Sequence, residues 1–105
     1  MTNSLHHQER KSLITQARQD LARRLNIGPD EVDLVEVREV VWRNGSLGCP
    51  QPGKFYTQAL VPGLCIRLGA EEKIYHYHSG GNRPAFLCAN PKECDAEGSL
   101  PGDVA

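Results

Sequence analysis

Residues 64–78 read L-C-I-R-L-G-A-E-E-K-I-Y-H-Y-H, two short runs of alternating side chains around the turn-forming group G-A-E-E. Alternation of this kind puts successive side chains on opposite faces of a strand. Strands over residues 64–68 and 73–78, with the turn at 69–72, make an antiparallel hairpin. Directly opposed residues point the same way, so Leu64, Ile66 and Leu68 share an apolar face with Tyr75 and Tyr77. The opposite face collects Cys65, Arg67, Ile74, His76 and His78, with Cys65 expected across from His76.

Downstream, S-G-G-N-R-P at 79–84 is a second turn and residues 85–88 a last short strand. From Ala89 the chain loses periodicity and apolar content and reads as a disordered tail over 89–105. Upstream, residues 55–61 are a strand candidate that Pro62-Gly63 interrupts, because proline cannot donate to a central ladder. Residues 32–42, V-D-L-V-E-V-R-E-V-V-W, alternate at Val35 and Val37 and then change phase to Val40 and Trp42. An extra residue near Arg38 or Glu39, a β-bulge, restores the alternation.

Leu13, Ile14, Ala17, Leu21, Ala22 and Leu25 recur at spacings of three and four, one stripe on a helix over residues 8–25. N-I-G-P-D stops it: Gly28 is expected to take the left-handed cap, and Pro29 cannot continue the helix. Residues 1–7 are polar and read as flexible. One domain over residues 8–88 follows, α+β in class, with one amphipathic helix packed on an antiparallel sheet of about four strands. The stripe is expected on Val35, Val37, Ile66, Leu68, Tyr75 and Tyr77.

The longest connection, residues 42–54, W-R-N-G-S-L-G-C-P-Q-P-G-K, holds the only tryptophan and several Gly and Pro residues around Cys49. Glycine permits positive φ and proline fixes φ, so this is a stiff loop, and a long connection without its own periodicity is more often functional than idle. Trp42, Asn44, Ser46, Leu47, Cys49, Tyr56, Gln58 and His78 are its candidate binding residues.

Composition excludes several function classes. With 12 basic and 13 acidic residues in 105, the formal charge is −1, and no global field favours nucleic acid or an anionic membrane. The helix carries Arg10, Lys11, Arg18, Arg23 and Arg24, but no base-reading motif or stacking aromatics accompany them, so a solvated face is expected. No apolar run approaches a membrane span and the N-terminus has no signal-peptide core; the chain as given is expected in the cytoplasm, secreted or periplasmic only if a leader is missing. A chain of this length buries roughly 65% of its unfolded surface and folds without metal or disulfides.

Cys65, His76 and His78 are candidate zinc ligands, since two imidazoles at alternate strand positions project together beside a cross-strand thiol. No close C-x-x-C pair or fourth ligand accompanies them, and the spacing of Cys88 and Cys94 matches no common zinc motif. Cys49 with His78 is a candidate thiol nucleophile and base, without an oxyanion hole or local signature. Cys49 and Cys88 are candidates for a disulfide that ties the loop to the last strand, with Cys65 and Cys94 outside it. No cofactor is implied.

The series N-I-G-P-D-E-V, V-V-W-R-N-G-S-L-G-C-P-Q-P-G, Y-T-Q-A-L-V-P-G, I-Y-H-Y-H and a closing L-C resembles an uncharacterised bacterial small-domain family over about residues 12–88. The resemblance implies a helix followed by antiparallel strands and carries no established activity. Its recurrent positions fall on Trp42, Gly45, Leu47, Gly48, Cys49, Pro50, Tyr56, Thr57, Gln58, Pro62, Gly63, Tyr77, His78 and Cys88, and the chain departs from it at Cys65.

The reading these features support is a non-catalytic binding module that presents residues 44–54 to a protein or peptide, in the manner of a small protease inhibitor. The alternative is a small metal-binding or thiol-based protein using Cys49, Cys65, His76 and His78. Oligomeric state is left open.

Overall fold

The structure, a computed structural model, describes residues 7–81 and 83–89. The flexible start and most of the disordered tail read from the sequence lie outside the described residues. A helix, α1 (His7–Leu25), leads through a 3-10 turn (Pro29–Glu31) into four strands: β1 (Asp33–Trp42), β2 (Val61–Ala70), β3 (Lys73–Gly80) and β4 (Arg83–Leu87). The strands form one antiparallel sheet in the order β1-β2-β3-β4. No described helix is long and apolar enough to cross a membrane.

The helix forms where the apolar stripe predicts. Glu9 in its first turn and Arg23 and Arg24 in its last complement the macrodipole. Its end differs from expectation: Asn26, not Gly28, takes the left-handed conformation, at φ 59°. The Ile27 N–H donates to the Ala22 carbonyl and the Asn26 N–H to the Arg23 carbonyl, which caps the last turn and tucks Ile27 against the core. Gly28 instead caps the 3-10 turn, its N–H donating to Glu31 Oε2 at 3.2 Å.

Ala17, Leu21 and Ala22 bury against Val32, Leu64, Ile66, Leu68, Ala70 and Tyr77, with Leu13, Leu25, Val37 and Tyr75 at the margin. The stripe therefore packs as expected except on Val35, which is 53% exposed. The cause is the register. The bulge in β1 falls at Val35, between Leu34 and Glu36, rather than near Arg38 or Glu39.

Beyond it β1 runs regularly, so Val40 and Trp42 lie on the face opposite Val37. The change of phase marks a change of covering: the helix buries the first face, and residues 43–60 bury part of the second. There Val40, Trp42, Leu47 and Cys65 form a separate core with Val61 and Phe86.

Residues 55–60 form no strand, and Phe55 is 100% exposed. β2 begins at Val61 and passes through Pro62 and Gly63 without interruption. Pro62 is tolerated because β3 ends opposite Gly63, so on that side the ladder has stopped. The β2–β3 turn is the pair Glu71-Glu72, both at positive φ (52° and 65°). The faces are as expected, but Cys65 sits across from His78, and Arg67 from His76.

A half-buried polar contact joins helix and sheet beside the first core, in addition to the more exposed Arg10–Glu39 ion pair at 3.2 Å. The Tyr77 hydroxyl donates to Asp20 Oδ2 at 2.6 Å, and Arg24 Nε reaches the same oxygen at 2.6 Å. Partial burial alone would raise the Asp20 carboxyl; the hydrogen bonds from Tyr77 and Arg24 outweigh it and hold the group below the ordinary carboxylate value. Burial, then the Asp20 hydrogen bond, pushes the Tyr77 hydroxyl well above the usual range.

Candidate functional site: the loop over the second face

Residues 43–60 are irregular because the loop is anchored by side chains rather than by a ladder. Trp42, fully buried at the end of β1, donates its indole N–H to the Ser79 carbonyl at 2.8 Å. The bond spans Gly63, where an added Cβ would collide with the Ser79 carbonyl oxygen and with the indole nitrogen. The other side of the ring carries Gly48, at φ 76°, whose missing side chain lets the loop backbone rest on the indole.

His78 stacks on Trp42 with ring centroids 4.7 Å apart and planes 24° apart, and Phe86 meets it edge-on at 6.2 Å. His78 Nδ1–H donates to the Leu47 carbonyl at 2.7 Å, while Nε2 is buried without a hydrogen-bond partner. Burial lowers the imidazole pKa, opposed in part by the Leu47 carbonyl, which favours a protonated ring, and reinforced by His76. The ring is therefore a neutral strut. Leu47 is held at φ 57°, a conformation costing about 1 kcal/mol in an L-residue, so its anchors oppose local strain.

The inner turn is hydrogen-bonded to itself. Asn44 Oδ1 accepts from the Ser46 N–H at 2.8 Å, the Asn44 carbonyl from Leu47 N–H, and the Ser46 carbonyl from Cys49 N–H. Gly45 N–H donates to the Thr57 carbonyl at 2.9 Å, which joins the two limbs of the loop. Cys49 is disulfide-bonded to Cys88, Cα atoms 6.0 Å apart, closing a span of 39 residues. By chain entropy, closure of about 40 residues contributes about 4 kcal/mol.

The outer turn, residues 50–60, has few ties. Gln51 N–H donates to the Tyr56 hydroxyl and Gln58 Nε2 to the Tyr56 carbonyl. Phe55 stands fully exposed beside Lys54, and Leu60 is 70% exposed.

The candidates named from sequence thus separate into two sets. Trp42, Ser46, Leu47 and His78 are buried and Cys49 half-buried, so these five support the loop from below. Tyr56 and Gln58 lie in the outer turn, while Asn44, half-buried, closes the inner one. Phe55 was missed, because its place between P-G-K and Y-T-Q looks like the start of a strand.

The metal candidates are differently arranged from the sequence expectation. His76 and His78 share a face, but Cys65 is a half-cystine. Its sulfur and that of Cys49 are not thiolates while those bonds stand, so a ligand or nucleophile role for either requires reduction. Among the described residues, no three His, Cys, Asp or Glu side chains gather as a metal site.

Comparison with curated proteins and with solved structures finds no significant match. Residues 14–88, which span the helix stripe from Ile14 onward, all four strands and the loop with its disulfide, match the profile of a domain of unknown function, DUF8738, and the chain belongs to that family.

Proposed function

We propose that the protein is a non-catalytic binding module that offers the outer turn, residues 50–60, to a protein or peptide partner. The observation that carries the reading is Phe55: a fully exposed phenylalanine at the crest of a loop whose base is fixed by Trp42, Leu47 and a disulfide. Exposed aromatics cost solvation in the isolated chain and serve as anchors when a partner buries them, and a base ordered beforehand lowers the entropy lost on docking. Lys54 precedes it in the chain, and Leu60, at the end of the same turn, is 70% exposed, so the turn offers apolar and charged groups together. The half-cystines at Cys49, Cys65 and Cys88 favour an oxidising compartment as the place of action over the cytoplasm.

The test compares wild type with Phe55→Ala as baits in quantitative affinity enrichment from the source's own extract. Thermal melting checks that the two fold alike. A partner retained by wild type and reduced at least tenfold with Phe55→Ala is expected. Identical recovery with both baits would remove the loop from the function.

A further inference from the structure

We propose that Asn44 is a self-modification site: when the hydrogen bond between Gly45 and Thr57 opens, the Gly45 nitrogen closes on the Asn44 side-chain amide, and the limbs of the loop are then held apart for good. Asn44-Gly45 is the only Asn-Gly pair in the chain. A glycine after asparagine has no side chain to hinder closure of the five-membered imide ring. Packing dictates the glycine, since a Cβ there would stand 2.8 Å from Thr57 Oγ1. The residue that lets the two limbs touch is also the one that leaves Asn44 open to attack.

The electrophile is primed. Ser46 N–H donates to Asn44 Oδ1 at 2.8 Å and draws electron density from Cγ. Arg83 Nη1 donates to the Gly45 carbonyl at 3.4 Å, which polarises the same peptide group that carries the Ser46 N–H. The nucleophile is withheld. Gly45 N–H donates to the Thr57 carbonyl at 2.9 Å. The nitrogen must lose that proton before it can attack, and a carbonyl is no base for it. While the bond stands, solvent hydroxide does not reach the proton, the same gating that limits amide hydrogen exchange. Asn44 and Gly45 are only half-buried, so parting of the limbs suffices to admit water.

The chemistry needs nothing but solvent. Hydroxide takes the Gly45 amide proton, the nitrogen bonds to Asn44 Cγ, and the Cγ–Nδ2 bond breaks, its nitrogen leaving as ammonia with a proton from water. A second water opens the imide at either carbonyl, to aspartate or to isoaspartate. Aspartate keeps an oxygen where Ser46 N–H needs an acceptor. Isoaspartate lengthens the backbone by one methylene between Asn44 and Gly45, which moves the Gly45 N–H out of register with Thr57.

The gate is tested on full-length protein at pH 7.4, with its disulfides intact during incubation. Samples are reduced, alkylated and digested with trypsin, and peptide 44–54 is followed by mass and by the chromatographic separation of its isoaspartyl form. Conversion is expected to be at least tenfold slower in the folded protein than in concentrated urea. Below the unfolding midpoint, it should rise with urea in parallel with hydrogen exchange at the Gly45 amide. Equal rates in folded and unfolded protein, or conversion that follows loss of α1 ellipticity instead of Gly45 exchange, overturn the gate.

The lasting effect is tested by comparing the isolated isoaspartyl product with Asn44→Asp. The Gly45 amide should exchange at least tenfold faster in the isoaspartyl protein than in the variant. Equal protection in the two overturns the claim that the limbs stay apart.

Discussion

The indole of Trp42 and the carbonyl of Ser79 meet across Gly63 at 2.8 Å, joining the end of β1 to β3 over the strand between them. Ladder bonds connect only neighbouring strands; this one passes over a glycine to the next strand but one. Trp42→Phe keeps an aromatic ring but deletes the donor and part of the buried indole, leaving the Ser79 oxygen without its partner beside a small cavity. The lost hydrogen bond alone is expected to cost about 1–3 kcal/mol and the cavity adds to it, measured as a lower urea midpoint with unchanged slope.

Gly63 and Gly53 make a matched pair of alanine substitutions. At Gly63 the new Cβ would strike backbone and indole at once, and at Gly53, at φ 79°, it meets nothing within 4 Å. Gly53→Ala should therefore cost only the backbone strain of a left-handed residue, about 1–2 kcal/mol. Gly63→Ala should cost clearly more and shift the Trp42 emission, which Gly53→Ala should leave in place. Equal melting temperatures for the two variants would contradict the close approach.

Glu71 and Glu72 hold a two-residue turn with both φ values positive, a geometry that asparagine and glycine adopt at far lower cost. Replacing the pair with Asn-Gly should stabilise the domain by about 1 kcal/mol and raise Tm by roughly 4–8 °C. Calorimetry of the double variant checks it, and a lower Tm would mean that the glutamates contribute something their backbone geometry does not show.

His78 predicts a pH dependence of definite sign. Its folded pKa lies below the ordinary histidine value, so on acidification the unfolded chain takes up a proton before the folded one does. Stability is complete above about pH 6.5 and falls below it, by at most about 1.4 kcal/mol per pH unit, until the folded imidazole protonates. Urea unfolding at pH 7.5, 6.5 and 5.5 measures the slope. In His78→Gln the part of the slope due to this residue should vanish; an unchanged slope would assign the effect to other groups.

The helix and the hairpin faces were legible in the sequence because periodicity reports directly which residues share a side. Leu13, Ala17, Leu21 and Leu25 could hardly form anything but a stripe, and Ile66 with Tyr77 needed only the parity of the hairpin. Periodicity is silent on what covers a side. Val40 and Trp42 looked like the same face as Val37 displaced by a bulge, whereas they are the opposite face under a loop that has no period to read. The turn was misplaced for a related reason: Glu71-Glu72 lacks the glycine or asparagine that advertises positive φ. In the candidate site, Cys49 and Cys88 were recognisable as partners from their positions at the ends of the loop and the last strand. Phe55 was not, since exposure depends on tertiary contacts that a local pattern does not contain.

Placing the only tryptophan beneath the loop, with all of the long helix on the other side of the sheet, separates the two layers optically. Indole emission reports the loop's contact with the sheet, and far-ultraviolet dichroism is dominated by α1. A reductant that detaches the loop while the helix stays packed would redden the fluorescence before ellipticity changes, so the order of the two signals reads out which layer of the sandwich lets go first.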